Sequence, residues 1–482
     1  MGITIVDYII VIAYMSAIAV FGILSGGKQK SVKDYFLGST RVPWWAVCFS
    51  IVAAETSTLT FISIPGLAYL TNLNFLQLTV GYLIGRIVIA NFFLPAYFRG
   101  ELSTAYVYLE NRFGVKTRSF ASIVFLFTRT AADGVRLFAT AIPLKLMLDI
   151  SYPFAIVIIA AVTLIYTYTG GVKGIIWVDV IQMFIYLGGA ILSGIFLLNM
   201  LPEGWTSVLN AASLENKFSL VNLGFDNGVS GFFSQPYTLL GGLLGGAFLS
   251  MASHGTDQLI VQRLLATKDL KHGQKAIIGS GVLVIIQFAV FLVLGIMLYA
   301  FFGKIEMKSD EIFPYFIINY LPTGVTGIII AGLFAAAMST IAGSVSSLSS
   351  STMMDLFIPY FGKYVPEEKH LGVSRIFTVV WTILLIGSAL FFMNSPKAVV
   401  ELALSIASFT YGGLLGTFML GLINKKAKQE DALAAFVAGI LIMVTVISLK
   451  LVAWTWFTLI GVLASLIVGS LLASLTERES KN

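Results

Sequence analysis

The sequence predicts an all-α membrane protein with about 13 transmembrane helices. Of its 482 residues, 57% are hydrophobic and only 11% are charged, whereas an average soluble domain has about 25% charged residues. The apolar residues form 13 runs of about 17 residues or more, long enough to cross a bilayer as helices. Lys and Arg lie mainly in alternate loops between these runs, as expected of a polytopic membrane protein.

The predicted spans follow one another with short loops, apart from a long segment at 201–237. They are 3–25, 44–70, 75–98, 119–148, 154–170, 175–200, 238–262, 274–302, 323–357, 371–394, 397–424, 430–450 and 452–474.

The distribution of basic residues predicts the orientation of the chain. With the N-terminus outside, the cytoplasmic loops and the C-terminal tail contain 21 of the 30 Lys and Arg residues. The outside loops contain five, and four lie within spans. Cytoplasmic loops are enriched in these residues, so we expect an outside N-terminus and a cytoplasmic C-terminus. The sequence has no Asn-x-Ser/Thr sequon, which agrees with a bacterial inner membrane.

Composition and motifs exclude several other classes of protein. The net charge of +6 is spread over short loops rather than gathered in one patch, so we expect no nucleic-acid partner. The single cysteine, Cys48, excludes a disulfide within the chain. No cleavable signal is evident. The chain has no HExxH, GxSxG or nucleotide-binding loop, so we predict no enzymatic activity and no organic cofactor.

The second span contains a polar interruption, residues 51–65, that predicts a binding site. Glu55, Thr56, Ser57, Thr58 and Thr60 lie within six positions of an otherwise apolar segment. A carboxylate at the centre of a membrane helix costs about 2.5 to 3.5 kcal/mol on insertion scales, and such residues are usually functional.

A matching interruption in the seventh span predicts two inverted repeats. That span, 238–262, contains Ser250, Ser253, His254, Thr256 and Asp257. Transporters built from inverted repeats place their sites where corresponding helices of the two halves are discontinuous. We therefore divide the chain into 1–43, a first repeat 44–200, an extracellular loop 201–237, a second repeat 238–424, and two C-terminal helices with a short tail in 425–482. The glycines at 241–246 are explained by close helix packing.

The ninth span, 323–357, is rich in hydroxyl side chains. Ser339, Thr340 and Ser344 begin a series that continues to residue 351. Each hydroxyl taken alone is explained by a bond to its own backbone. Their density, however, favours a site for an alkali cation, which prefers hard oxygen ligands. Residues 51–60 would supply the carbonyls and residues 336–340 the hydroxyls.

The chain resembles the sodium:solute symporter family, which includes bacterial proline and sialic acid transporters and animal sodium-glucose transporters. The resemblance covers about residues 34 to 425 and is carried by DYFLGSTRVPWW, TFISIPGLAY, YTYTGGVKGIIWVDVIQ, TDQLIVQRLLATKD, GLFAAAMSTIAGSVSS and YGGLLGTFMLGL. It implies a five-plus-five inverted-repeat fold of the LeuT type, with one extra helix before it and two after it.

The resemblance also implies a sodium site. The family's shared site corresponds to the carbonyls of Ala53, Thr56 and Ala336 and to the hydroxyls of Ser339 and Thr340. Asp179 matches an acid that some members use for a further sodium ion or for the cytoplasmic ion exit. Members with that second ion place hydroxyls two or three residues beyond the Ser-Thr pair, where this chain has Ala342 and Gly343. We therefore expect one Na+ per cycle.

Glu55 is the position at which we expect the solute to be recognised. The resemblance implies a neutral residue here in sugar and sialic acid members and an aspartate in proline transporters, which favours an amine-bearing solute. Arg136 and Asp133 on the fourth span are further candidates. An alternative is that Glu55 and Arg136 pair with each other and have only a structural role. Sialic acid members place their substrate arginine at Ala132, which disfavours that solute.

Further side chains are predicted to surround the solute. The substrate-binding candidates are Ser57, Thr60, Gln77, Thr79 and His254, although His254 is equally explained as a packed neutral histidine. Asp257 is interpreted as a structural element, and Phe409, Thr410 and Tyr411 as flanking residues.

Together these observations predict a secondary active transporter. It would couple inward Na+ movement to uptake of a small polar organic solute by alternating access, the solute being an amino acid or zwitterion. The alternatives are a Na+-coupled sugar or monocarboxylate symporter and, in another class, a transporter-like solute sensor. The expected partners are Na+, the solute and the lipid bilayer, and the sequence leaves the oligomeric state open.

Overall fold

The computed structural model describes residues 3–38, 42–100, 102–225, 228–393 and 399–479. Helices make up nearly all of this structure. The only β-pairing among the described residues is an isolated bridge between Val42 and Thr267. This confirms the predicted all-α class.

The first half of the chain contains eleven α-helices among the described residues. They are α1 (Ile5–Gly26), α2 (Val32–Leu37), α3 (Trp44–Glu55), α4 (Thr58–Leu70), α5 (Leu76–Val88), α6 (Leu94–Arg99), α7 (Val107–Phe113), α8 (Val115–Leu148), α9 (Tyr152–Met200), α10 (Trp205–Leu214) and α11 (Gly228–Ser234). A π-helical turn, Ile89–Phe93, joins α5 to α6.

The described part of the second half contains ten α-helices. They are α12 (Gly246–Gly255), α13 (Gln258–Leu265), α14 (Leu270–Phe302), α15 (Ser309–Tyr320), α16 (Val325–Ser351), α17 (Ile358–Phe361), α18 (Glu367–Phe392), α19 (Val399–Ile423), α20 (Gln429–Ser448) and α21 (Phe457–Glu479). Two π-helical turns, Gly241–Gly245 and Thr352–Phe357, precede α12 and follow α16, and short 3₁₀ turns occupy Gly362–Tyr364 and Trp454–Trp456.

The helices occupy the predicted spans, but the number of membrane crossings stays a prediction. By length and composition, eight helices of the described chain can cross a membrane, or nine if the bent pair of α3 and α4 counts as one span. Two predicted spans, 154–170 and 175–200, lie in the single 49-residue α9. At Gly171 this helix kinks, with a φ of 55° that favours glycine.

Both predicted polar interruptions are breaks between helices. The first separates α3 from α4 at Thr56 and Ser57, and the two helix axes differ there by 64°. The second separates α12 from α13 at Thr256 and Asp257, where Asp257 is extended and its side chain caps α13 through the N–H of Leu259. Discontinuous helices of this kind place backbone polar groups in the middle of a transporter.

The glycines before α12 let this helix lie against α5. A Cβ atom on Gly246 would lie 2.5 Å from the carbonyl oxygen of Leu78, and one on Gly81 would lie 2.3 Å from that of Gly242. Larger residues would therefore push the two backbones apart. The packing interpretation of these glycines is confirmed, and the packing brings the α12 break close to α5.

Candidate functional site

The break between α3 and α4 exposes backbone oxygen atoms next to α16. Helix α3 ends at Glu55, so the carbonyls of its last turn, including that of Ala53, lose their partners within the helix. Thr56 turns the chain away with a ψ of 101°. Its hydroxyl donates to Val52 and accepts a 2.6 Å hydrogen bond from Nε2 of Gln287 on α14. The break is therefore held in place by a neighbouring helix.

Two sets of cross-helix hydrogen bonds flank the predicted sodium ligands. On one side, the Thr58 hydroxyl donates to the carbonyl of Leu333 at 3.2 Å, three residues before Ala336 on α16. On the other side, Asp179 on α9 accepts from both Ser50 of α3 and Ser339 of α16. The segments that carry the predicted ligands are thus brought together.

Within α16, two predicted ligands share one turn. The Thr340 hydroxyl donates to the carbonyl of Ala336 at 3.1 Å, and the side chains of both Ser339 and Thr340 are buried. Carbonyl and hydroxyl oxygens are suitable ligands for a hard cation. The residues present fit the predicted sodium site, and their role as ligands stays a prediction.

Asp179 is fully buried and has three hydrogen-bond partners. Its Oδ1 accepts from Ser339 at 2.6 Å, while its Oδ2 accepts from Ser50 at 2.5 Å and from Nη2 of Arg263 at 3.0 Å. Arg263 on α13 is equally buried and also donates to Ser50 and to the carbonyl of Leu259. The acid predicted at an ion exit therefore contacts a predicted sodium ligand directly.

A cavity of about 500 Å³ opens beside the first break. It extends to helix ends that the distribution of basic residues predicts to be outside, where Thr71, Asp310 and Trp454 lie. The predicted solute residues in its wall are Glu55, Ser57, Thr60, Arg136 and His254. Its volume falls in the range typical of small-molecule sites.

Glu55 pairs with Arg86, not with Arg136. Arg86 lies on α5 with its side chain fully buried, and its Nη2 forms the ion pair with Oε2 of Glu55. Nη1 of Arg86 donates to Ser280 at 2.8 Å. The alternative that Glu55 and Arg136 pair was therefore wrong. The physical reason is that α3 and α5 both pack against α14, which brings the Arg86 guanidinium to the carboxylate.

His254 joins the same cluster as a neutral ring. Nη2 of Arg86 lies 3.0 Å from Nε2 of His254, and because a guanidinium can only donate, Nε2 must accept. The proton is then on Nδ1, which lies 2.8 Å from the Ser253 hydroxyl. His254 is thus packed and neutral and also lines the cavity, and its contact with the solute stays a prediction.

A second group of charges lies at the base of the cavity, and we call Arg129, Asp133, Asp257 and Tyr411 the inner polar cluster. Nε of Arg129 lies 2.5 Å from Asp133 and its Nη1 lies 3.0 Å from Asp257. The Tyr411 hydroxyl donates to Asp257 at 3.0 Å. The cluster joins α8 to the α12–α13 break and to α19, and its members Arg129 and Tyr411 line the cavity.

Asp133 was predicted to contact the solute, but it lies in a buried network of charges instead. It is buried, accepts from the Ser344 hydroxyl, and pairs with Arg129 and with Nη1 of Arg136 at 3.3 Å. It does not line the cavity among the described residues. The carboxylate therefore holds two arginines, because those arginines lie one turn to either side of it on α8.

Gln77 and Thr79 also lie away from the cavity. The Gln77 amide binds the backbone carbonyl of Tyr237 and the N–H of Asn222, and the buried Thr79 hydroxyl donates to Leu76. The prediction that these side chains surround the solute was wrong. Gln77 faces the 222–237 segment, and Thr79 bonds to its own helix. The reason is that the glycines of 241–246, which follow that segment, let the backbone lie against α5.

Two buried arginines of the site, Arg86 and Arg263, are not among the residues predicted from the sequence. A signal for Arg86 was present, because an arginine within an apolar span is itself a sign of function. Arg263 was noted only as part of a motif. Of the predicted flanking residues, Tyr411 lines the cavity, whereas the side chain of Phe409 lies outside the described residues.

Known proteins similar to this chain agree with the family resemblance that its motifs indicate. The model of the sodium:solute symporter family matches residues 35–439. A sodium/sialic acid symporter of Aliivibrio fischeri is 30% identical over 477 residues, covering 97% of this chain and 92% of that protein. The sodium/glucose cotransporter of Vibrio parahaemolyticus is 26% identical over 472 residues, covering 91% of this chain and 84% of that protein.

Solved structures show the same fold. A substrate-bound, outward-open Na+-coupled sialic acid symporter superposes with a TM-score of 0.87 at 26% identity, covering 98% of each chain. Mhp1, a nucleobase-cation-symport-1 family transporter, has a TM-score of 0.56 at 13% identity over 91% of this chain and 94% of its own, a likeness of fold alone. The expected LeuT-type architecture is confirmed. The family match spans most of the sequence, and the chain belongs to the sodium:solute symporter family.

Proposed function

We propose that this Na+-coupled symporter takes up a small hydroxylated monocarboxylate, whose carboxylate binds Arg136. The observation that carries the proposal is the position of this arginine. Its side chain is 26% exposed, lines the cavity, and forms one ion pair, through Nη1, among the described residues. The remainder of its planar fork of donors is available to a carboxylate, which it can bind through two parallel hydrogen bonds.

The charge balance of the site favours an anion over a neutral solute. Three acids and three arginines form its ion pairs, namely Glu55, Asp133, Asp257, Arg86, Arg129 and Arg136. The proposed sodium ligands are carbonyls and hydroxyls without charge. Apart from Asp310 at the outer end of the cavity, binding one Na+ therefore leaves one uncompensated positive charge beside these ion pairs, which a monocarboxylate neutralises.

The solute's hydroxyl groups have further partners in the cavity lining. Arg86 and the neutral His254 both approach Glu55 at Oε2, so that Oε1 is available as an acceptor. Ser57, Thr60 and Ser253 add hydroxyl groups around it. A zwitterion is the second candidate, because an ammonium group would bind the same carboxylate.

The names of several relatives support the proposal. Two of the proteins similar to this chain are named as sialic acid symporters and another as a sodium-coupled monocarboxylate transporter. The arginine implied for sialic acid members would stand at Ala132, and Arg136 lies one helical turn further along α8. We propose that Arg136 serves the carboxylate here, with the N-terminus outside and one Na+ moving inward per cycle.

A thermal-shift screen of the purified chain tests this proposal, since a ligand that binds the folded state raises its melting temperature. Gluconate, pyruvate, sialic acid, proline and glucose are compared at equal concentration, with Na+ or with choline. We expect carboxylates to stabilise the protein in Na+ and glucose to have no effect. Stabilisation by glucose but by no acid would contradict the proposal. Na+-driven uptake of the best ligand into proteoliposomes then separates a transporter from a sensor that only binds.

A further inference from the structure

We propose that Trp454, a residue of the two-helix C-terminal extension, limits the size of the solute that the transporter encloses. The inference rests on the proposed function and names the residue that sets the upper size of its solute. Trp454 begins the 3₁₀ turn between α20 and α21, both of which lie outside the predicted repeats. It nevertheless lines the solute cavity. A segment outside the repeats thus supplies part of the cavity wall.

The indole of Trp454 ends a row of four aromatic rings, all of which line the cavity. The ring centroids of Trp454 and Tyr237 lie 6.2 Å apart at an angle of 78°, an edge-to-face contact. The Tyr237 ring lies 5.3 Å from that of Phe75, which in turn stacks on Phe288 at 5.0 Å. Aromatic pairs in these arrangements attract each other beyond the area that they bury. The indole is therefore packed against a neighbouring ring of the wall.

The backbone of the 3₁₀ turn is fixed on two sides. Just before the turn, the N–H of Ala453 donates to the carbonyl of Phe233 at 2.8 Å. On the other side, a Cβ atom on Gly245 would lie 2.2 Å from the carbonyl oxygen of Thr455, so only a glycine lets the turn lie this close to the chain before α12. The buried Trp456 adds a ring contact of 5.3 Å with Phe233. These contacts hold the turn against the cavity, so it cannot readily move aside for a larger solute.

The position of Trp454 relative to Arg136 makes it a limit on size. A solute whose carboxylate binds Arg136 extends along the cavity towards the end where Trp454 lies, which is predicted to be outside. In alternating access, the cavity must close towards the outside before it opens inward. A solute that ends before the indole can be enclosed. A longer one meets a large ring that its neighbours hold in place, and so it is excluded from transport.

The test compares Na+-driven uptake of two solutes that share a head group and differ in length. Gluconate and lactobionate both carry the carboxylate, and lactobionate has an additional galactosyl group. In proteoliposomes we expect the wild type to prefer gluconate at least about 10-fold in kcat/KM, and Trp454→Ala to reduce this preference to about 3-fold or less. Trp454→Phe keeps a smaller ring against Tyr237 and should lie between the two. It carries the test should Trp454→Ala not fold.

Trp456→Phe is the matched control, because it shortens an indole of the same turn that lies outside the described cavity lining. It should keep the wild-type preference for gluconate. An unchanged preference in both Trp454 variants, or an equal loss of preference in Trp456→Phe, would overturn the inference. A wild type that takes up glucose but no acid would instead contradict the proposed function. The same variants are then compared on glucose and lactose, which differ by the same galactosyl group.

Discussion

Arg86 of α5 pairs with Glu55 at the break between α3 and α4, and its guanidinium also touches His254 at the second repeat's broken helix. One buried cation thus joins the two discontinuous helices at the wall of the cavity. The carboxylate is therefore fixed in position by the protein itself. Only its second oxygen is left for a solute.

The first prediction concerns stability. Glu55→Gln leaves the buried Arg86 without a counter-charge, and breaking a buried pair costs about 3–5 kcal/mol. We expect a clear fall in the melting temperature, and recovery of most of it in the double variant Glu55→Gln, Arg86→Met. Both variants should bind the solute weakly. An unchanged melting temperature in Glu55→Gln would show that the pair does not stabilise the protein.

The second prediction concerns the solute. Arg136→Met removes a charged donor to the carboxylate, a bond worth about 1.5–3 kcal/mol, so the affinity for carboxylated solutes should fall about 10- to 100-fold. Binding of Na+ alone should not change. Lys145→Met on the same helix, outside the cavity lining, is the control and should bind normally. Isothermal titration checks both, and equal losses in the two variants would exclude direct contact.

The third prediction concerns Na+. Ser339→Ala and Thr340→Ala each remove a proposed oxygen ligand, and we expect the affinity for Na+ to fall at least about 10-fold. Ser349→Ala is the control, since that hydroxyl only donates to the carbonyl of Val345 in its own helix. The measurement is the rise in melting temperature with Na+ concentration. A normal rise in both variants would rule out the proposed ligands.

The fourth prediction concerns the inner polar cluster. Tyr411→Phe removes one hydrogen bond to Asp257, worth about 1 kcal/mol, so opening towards the cytoplasm should become about 5-fold easier. A cysteine introduced at Ala132, in a chain where Cys48 is replaced by alanine, reports this opening through its rate of maleimide labelling in inside-out vesicles. Faster labelling is expected. A labelling rate equal to that of the parent would mean that the hydrogen bond from Tyr411 to Asp257 does not oppose opening towards the cytoplasm.

The fifth prediction concerns orientation. In the same cysteine-free background, Lys28→Cys should react with an impermeant maleimide only from the cytoplasmic side and Lys304→Cys only from outside. The expectation follows from the excess of basic residues in alternate loops. Whole cells and inside-out vesicles give the two sides. The opposite result for both positions would invert the topology and make the cavity open inward.

The architecture could be predicted from the sequence, as could the residues of the proposed ion site. Apolar runs predict the helices because the backbone N–H and C=O groups of a membrane helix must form their hydrogen bonds within the helix itself. Polar residues such as Ser57 and Asp257 mark the breaks because they are costly anywhere else in an apolar span. The Ser339–Thr340 pair stood out for the same reason. These patterns are local, so they can be interpreted from the sequence without knowing how the helices pack.

Partner choice among buried charges required the tertiary structure. Asp133 lies four residues after Arg129 and three before Arg136 in the sequence, a spacing that by itself brings the three side chains together on one helix. Sequence spacing could not show that Glu55 pairs with Arg86 or that Gln77 faces a loop, because these contacts depend on how α5 packs against α14 and against the chain before α12. The same holds for Arg263 and Asp179, which are 84 residues apart. The sequence by itself determined where charges and breaks lie, and only the fold decided which charges meet.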